Sequence, residues 1–194
     1  MIHHVKILTL PGGRMPERKT DGAIGYDVSI RAIVSPSEMD PNHKILRKTL
    51  FDFERMPDDP FVTRHIIQQP SEDGKSTVLV YEMEPQESIL VGIGFCTEMN
   101  FPLFYWVAPR SGLSSRYGLT VTNAPGTVDP DYRGEAGVLV YNRNDKPFRI
   151  SRGMRIAQVI FQEAVIPSMI PIDSFEDFSD SKRGTGGFGS TGLK

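Results

Sequence analysis

A chain of 194 residues with 39% apolar and 24% charged content has the size and make-up of one globular domain that buries its own core. A formal charge of −2 excludes a global basic field for nucleic acid and an acidic tail, so an anionic ligand has to be held by local arginines. Cys96 is the single cysteine, which excludes an internal disulfide; no run reaches bilayer length and no basic-then-apolar leader opens the chain, so the expected setting is the cytoplasm, without membrane or nucleic-acid partners.

The elements, in chain order, are short and mostly extended. Apolar or alternating runs at 5–10, 26–34, 76–84, 89–96, 103–108, 119–123, 136–142, 148–153 and 155–166 read as strands. Fifteen prolines and eighteen glycines, with Asn and Asp, punctuate the gaps. "NRNDKP" (142–147) reads as a hairpin turn between its flanking strands. "SGLSSRYG" (111–118) reads as one short helical segment, with Ser111 at the N-cap and Gly118 closing it. The pattern predicts an all-β fold, a distorted β-barrel or jelly roll.

Residues 35–75 break this rhythm: they are proline-rich, mixed in charge and weakly periodic, and "HKILRKTLFDF" fits no single element. A structureless loop of this length is foreign to a compact domain. The stretch is read as an insertion, bounded at 35–87, of uncertain structure within a single domain of 1–194. It either extends the subunit surface or offers a contact to a protein partner. The last residues, 181–194, read as a flexible glycine-rich arm.

Five stretches carry small or charged residues where a plain β-protein needs none. In "GAIGYDVS" (22–29), Asp27 is either a carboxylate with a task or a strand start facing water. In "APRSGLSS" (108–115), Arg110, Ser111 and Gly112 put a guanidinium, a hydroxyl and bare backbone at the head of the helical segment, a pattern suited to an anion; a surface arginine beside a capped turn is the plainer reading. "NAPGTVDPDYRGE" (123–135) sets Asp129 on a rigid turn, where a carboxylate can hold a water as general base, with Tyr132 placed to wall a flat or sugar-like ligand. Acids that only cap backbone N–H groups are the alternative. In "RGMRIAQ" (152–158), alternation sends Arg155, Ala157 and Val159 to one face and Ile156, Gln158 and Ile160 to the other. Half of "RGTGGFGSTG" (183–192) is glycine, and its amides with Arg183, Ser190 and Thr191 suit a phosphate chain, while Phe188 can stack on a base.

Together and in this order, the stretches resemble the five motifs of the trimeric dUTPase family, over residues 22–34 and about 88–192. The resemblance implies a homotrimer with three active sites, each built from three chains, and the reaction dUTP + water → dUMP + pyrophosphate with Mg2+. It implies that Asp129 orients and deprotonates the attacking water. Arg110, Ser111 and Gly112 match the phosphate-binding segment, Gln158 a residue near the phosphates, and Asp27 one that supports the metal through water. Asn123, Gly126, Thr127 and Val128, with the returning strand at Gly137, match the hairpin that reads uracil, and Tyr132 the residue beneath the deoxyribose. Arg183, Phe188, Gly189, Ser190 and Thr191 match the arm that closes over the site. Met154 departs from the family, which often has an acid there, and leaves the partner of Arg155 open. Within the same fold family, dCTP deamination is the rival activity, with Glu135 as the acid that would activate water. None of the matched stretches lies in 35–75, so that segment reads as removable.

Overall fold

The computed structural model describes residues 4–186. It falls into two units, 1–164 and 165–194. The first unit is all-β. Its strands are β1 (Lys6–Thr9), β2 (Tyr26–Ser29), β3 (Ala32–Met39), β4 (Arg47–Phe51), β5 (Ile66–Pro70), β6 (Thr77–Met83), β7 (Ser88–Gly92), β8 (Phe95–Glu98), β9 (Leu103–Pro109), β10 (Leu119–Val121), β11 (Gly126–Val128), β12 (Gly137–Asn142), β13 (Phe148–Ile150) and β14 (Arg155–Glu163). Two short helices, α1 (Pro60–Thr63) and α2 (Ser111–Tyr117), interrupt them. The strands form four antiparallel sheets, in the orders β1-β8, β10-β12-β7-β3-β4, β11-β9-β14-β2 and β13-β6-β5. None closes on itself, so the expected barrel is a distorted wrap of open sheets.

Alternation along the strands supplies the core. Val28, Ile30, Val91, Phe95, Tyr105, Val138, Ile150 and Val159 point into one apolar cluster and are almost wholly buried. Burial at roughly 25 cal/mol per Å2 of apolar surface makes this cluster the main stabilising term of the fold.

Several expectations need correction. The run 26–34 is two strands in different sheets, broken at Ile30 and Arg31. The run 89–96 likewise breaks at Gly94, whose φ of 79° lies in the left-handed region open to glycine. "NRNDKP" is not a hairpin turn, because β12 pairs with β10 and β7 whereas β13 pairs with β6. Buried Asn142 holds that connection by donating to the carbonyls of Lys146 (2.9 Å) and Glu84 (3.1 Å). The N-cap of α2 is Arg110, not Ser111, and makes no side-chain cap bond; Gly118 closes the helix as expected, at φ 60°.

Residues 35–87 have strands of their own. β3 and β4 form an antiparallel pair at the edge of the five-stranded sheet, and "HKILRKTLFDF" contains β4. Asp59 caps α1 by accepting from the Phe61 amide at 2.8 Å, with Pro60 at the first helical position. Phe51 and Phe53 pack at 4.5 Å between centroids with their rings tilted by 42°, and both belong to the core with Val62. The segment is packed into the domain rather than laid over it, against its reading as removable.

In the second unit, one 3-10 turn (Phe175–Asp177) is closed by a capping box between Ser174 and Asp177. Arg183 donates through Nε to the Gly186 carbonyl at 2.8 Å. Phe188, Gly189, Ser190 and Thr191 lie outside the described residues.

Candidate active site

The predicted site residues of the first unit gather into two clusters. One lines a cleft of about 410 Å3 and holds Asn123, Thr127, Val128, Asp129, Tyr132 and Gly137. β11 is an edge strand: it pairs with β9 on one side, and its other backbone edge has no ladder partner among the described residues. β12 is flanked by β10 only from Val140 to Asn142, so on that side Gly137 also lacks a ladder partner there. The open edge of β11 and the backbone of Gly137 therefore meet at the cleft, a pairing surface for a planar polar ring, while the next carbonyl on that edge, Leu139, accepts from the Thr122 amide at 2.9 Å. The expected hairpin is corrected in one respect, because β11 and β12 belong to different sheets and the cleft opens where the sheets part. Gly126 is buried against Asn123; a side chain built there would stand 3.1 Å from Asn123 Nδ2.

Asp129 is exposed, and its carboxylate has no protein partner among the described residues, which leaves both oxygens open to water. Its backbone carbonyl accepts from the Tyr132 amide at 3.2 Å, a tight turn that fixes acid and ring together. The Tyr132 hydroxyl donates to the Glu135 carbonyl at 3.1 Å. Burial of the ring pushes the phenol pKa up, and the Arg47 charge opposes that shift.

Glu135 is not available to activate a water. It is buried, accepts from Arg31 Nε (2.7 Å) and Nη2 (2.6 Å), and accepts again from the Gly94 amide (2.7 Å). Both oxygens are engaged in a structural pair, so the residue fastens the 132–135 turn to the β7–β8 connection.

The second cluster forms around β2 and β14. Asp27 receives Arg110 Nε on Oδ1 at 3.0 Å and Arg155 Nη1 on Oδ2 at 2.8 Å. Gln158 lies across from Asp27 in the β14–β2 pairing and donates to the Pro109 carbonyl at 3.1 Å. Simple alternation placed Arg155 and Gln158 on opposite faces. A register shift between Arg155 and Ala157 removes that alternation, so Ile156 and Ala157 are both buried. One extra residue reverses the parity of the strand, and Arg155 and Gln158 share the face that carries Asp27. The partner of Arg155 is thus Asp27, with Met154 half-buried against the core. Ser111 and Gly112 are exposed in the first turn of α2, directly after Arg110.

These clusters are well separated within one chain. Val128, beside Asp129, pairs with Tyr105, and Arg110 lies five residues further along the same direction. At about 3.4 Å per residue, roughly 17 Å of strand separates the acid from the arginine. Arg183 belongs to the second unit.

The donor set speaks to the metal. Among the described residues no group of three or more His, Cys, Asp or Glu side chains is placed to hold an ion. Asp27, tied to two arginines, has no oxygen free of a partner for direct coordination. Such a set offers no direct protein cage, and it leaves room for a hard cation that takes its ligands from phosphates and water, the habit of Mg2+.

Two features escaped the sequence. The Arg31–Glu135 pair joins residues far apart in the chain, and Arg47 and Pro36, from the inserted segment, line the Asp129 cleft. Neither leaves a local signal, since both depend on which strands pair.

The sequence pattern of the dUTPase family matches residues 78–192. The chain is 44% identical over 122 residues to a deoxyuridine 5'-triphosphate nucleotidohydrolase of Rhizobium rhizogenes, covering 63% of this chain and 74% of the relative. It is 46% identical over 110 residues to the same enzyme of Beijerinckia indica, covering 57% and 67%. Among solved structures, the dUTPase of Staphylococcus bacteriophage 80alpha with dUPNHPP superposes with a TM-score of 0.66 at 21% identity, over 98% of this chain and 99% of the other. The dUTPase of phage phi11 of S. aureus superposes at 0.59 and 16% identity, over 90% and 99%. At those identities the likeness is one of fold.

Proposed function

The chain belongs to the dUTPase family, and from that premise we propose how its residues carry out the hydrolysis of dUTP to dUMP and pyrophosphate. The observation that carries the reading is the Asp129 cleft: an unpartnered carboxylate beside the open backbone edge of β11 and a tyrosine ring. Uracil pairs with the outer backbone edge of β11 at Thr127 and Val128, where alternate residues face outward, and with the backbone of Gly137, while Asn123 braces the turn at Gly126. A fixed N–H there donates to the uracil carbonyl and has no acceptor in the cytosine amine, and a buried polar mismatch of this kind discriminates strongly. Tyr132 packs under the deoxyribose and fills the space of a 2′-hydroxyl. Asp129 takes a proton from a water as that water attacks the α-phosphorus; the new P–O bond forms as the bond to the bridging β-phosphate oxygen breaks, and pyrophosphate leaves with the electron pair.

The phosphates are held by Arg110, Ser111, Gly112 and Gln158. Reacting atoms have to come within about 3.5 Å, and roughly 17 Å of strand parts Arg110 from Asp129 in one chain. A second copy therefore supplies the phosphate cradle to each Asp129 cleft, which favours the homotrimer with shared sites. Asp27 holds Arg110 and Arg155 in place and supports the metal through water. Mg2+, when bound, neutralises charge on the triphosphate. For Arg183, Phe188, Gly189, Ser190 and Thr191, a role at the base and phosphates is proposed on the motif resemblance alone.

The test is pyrophosphate release from dUTP, dCTP, dTTP and UTP, with and without Mg2+, by wild type and Asp129→Asn. The expected result is selective turnover of dUTP, dependent on Mg2+ and lowered about 100- to 10,000-fold in the variant, the usual share of a general base. Wild-type-like turnover by Asp129→Asn would remove the acid from the mechanism.

A further inference from the structure

The Asp129 cleft has one wall that the five motifs do not supply. Arg47, at the start of β4, lines it together with Pro36 from β3. The β3–β4 connection presses on the motif itself: a side chain built at Gly134 would stand 2.9 Å from the Ile45 carbonyl and would strike the Tyr132 hydroxyl. Arg47 is half-buried and tethered at one nitrogen, Nη1, which donates to the Pro36 carbonyl at 2.6 Å and the Ser35 carbonyl at 3.5 Å. Its Nε and Nη2 have no hydrogen-bond partner among the described residues, although an arginine offers five donors. Its charge acts on the phenol of Tyr132, which lines the same cleft.

We infer that Arg47 is a substrate-binding residue contributed by the inserted segment, donating its free N–H groups to the uridine end of the nucleotide. The inference rests on the assignment of this cleft to the base and sugar. A guanidinium serving only the fold at a half-buried position is expected to satisfy more of its fork, and this one leaves the remainder toward a polar cleft. The Pro36 tether restricts the side chain in advance, which lowers the entropy cost of ordering it around a ligand. The nucleoside end is the closer target, because Tyr132, Thr127 and Gly137 share the cleft with Arg47 whereas the Arg110 cluster does not.

The experiment measures inhibition constants of deoxyuridine, dUMP and pyrophosphate against dUTP hydrolysis for wild type, Arg47→Ala, Arg47→Lys and Tyr132→Ala, with melting curves for each. Loss of a charge-assisted bond in the cleft is expected to weaken deoxyuridine and dUMP about tenfold in Arg47→Ala and leave pyrophosphate unchanged. KM for dUTP is expected to rise with kcat largely retained. Arg47→Lys keeps the charge and a tether but loses the fork, so it falls between the two; if Arg47→Ala does not fold, the same comparison on Arg47→Lys decides. Deoxyuridine and dUMP constants within twofold of wild type in a folded Arg47 variant, while Tyr132→Ala weakens both, would overturn the role of Arg47 and leave the cleft assignment standing. If Tyr132→Ala also leaves them unchanged, the cleft is not the nucleoside site and both readings fall.

Discussion

Mixed oligomers of two disabled variants should recover activity that neither variant has alone. The perturbation pairs Asp129→Asn, which removes the base, with Arg110→Gln, which removes a phosphate-binding charge and one of the two pairs on Asp27. The β11–β9 register sets these residues roughly 17 Å apart along the sheet, and in the proposed shared-site arrangement one active site takes them from different chains. In trimers assembled at random from equal amounts, a site draws an intact Asp129 from an Arg110→Gln chain half the time and an intact Arg110 from an Asp129→Asn chain half the time. About a quarter of the sites are then intact in both, so the mixture should reach about a quarter of wild-type kcat. Each variant alone should sit at least about 100-fold below wild type. The assay is pyrophosphate release after the variants are denatured and refolded together, with native mass spectrometry to count mixed assemblies. Activity no higher than the mean of the two parents, in a sample shown to contain mixed trimers, would mean that each chain completes its own site and would refute the register argument.

Glu135→Ala should destabilise the protein by about 3 kcal/mol by leaving half-buried Arg31 without its partner, seen as a lower urea midpoint, and adding Arg31→Met should recover part of the loss. Tyr132→Ala should raise the kcat/KM ratio of UTP to dUTP; a ratio that does not move places sugar selection elsewhere. Phe51→Ala should cost about 3–5 kcal/mol, and excising 36–75 should leave no folded protein by circular dichroism, because Phe51, Phe53 and Val62 fill the core. Burial pushes the Tyr105 phenol up to about 12, against about 10 in an unfolded chain. The folded-state value is the raised one, so this contribution to stability is complete below about pH 10 and is lost as the pH rises toward 12, which an ultraviolet titration of phenolate against unfolding would follow.

The all-β class was legible because strand alternation and Gly/Pro punctuation are local, and most apolar runs became strands within a residue or two of their expected bounds. The family was legible because bare-backbone and charged motifs interrupt that alternation at Asp27, Arg110, Asp129, Gln158 and the glycine-rich end. Pairing was not legible, because it is a choice among edges that lie far apart in the chain. That choice decided that β12 and β13 part company after Asn142, and that a bulge turns Arg155 onto the face of Asp27. It also locked Glu135 away from any water. The segment 35–87 showed the limit most clearly. Its periodicity is weak because Phe51, Phe53 and Val62 enter the core from a strand, a turn and a short helix, not from one face of a regular element. The sequence by itself determined the chemistry the chain can offer, since residue types and their spacing carry it. Only the tertiary structure decided which of those groups meet, because burial and strand register act between residues that are not neighbours.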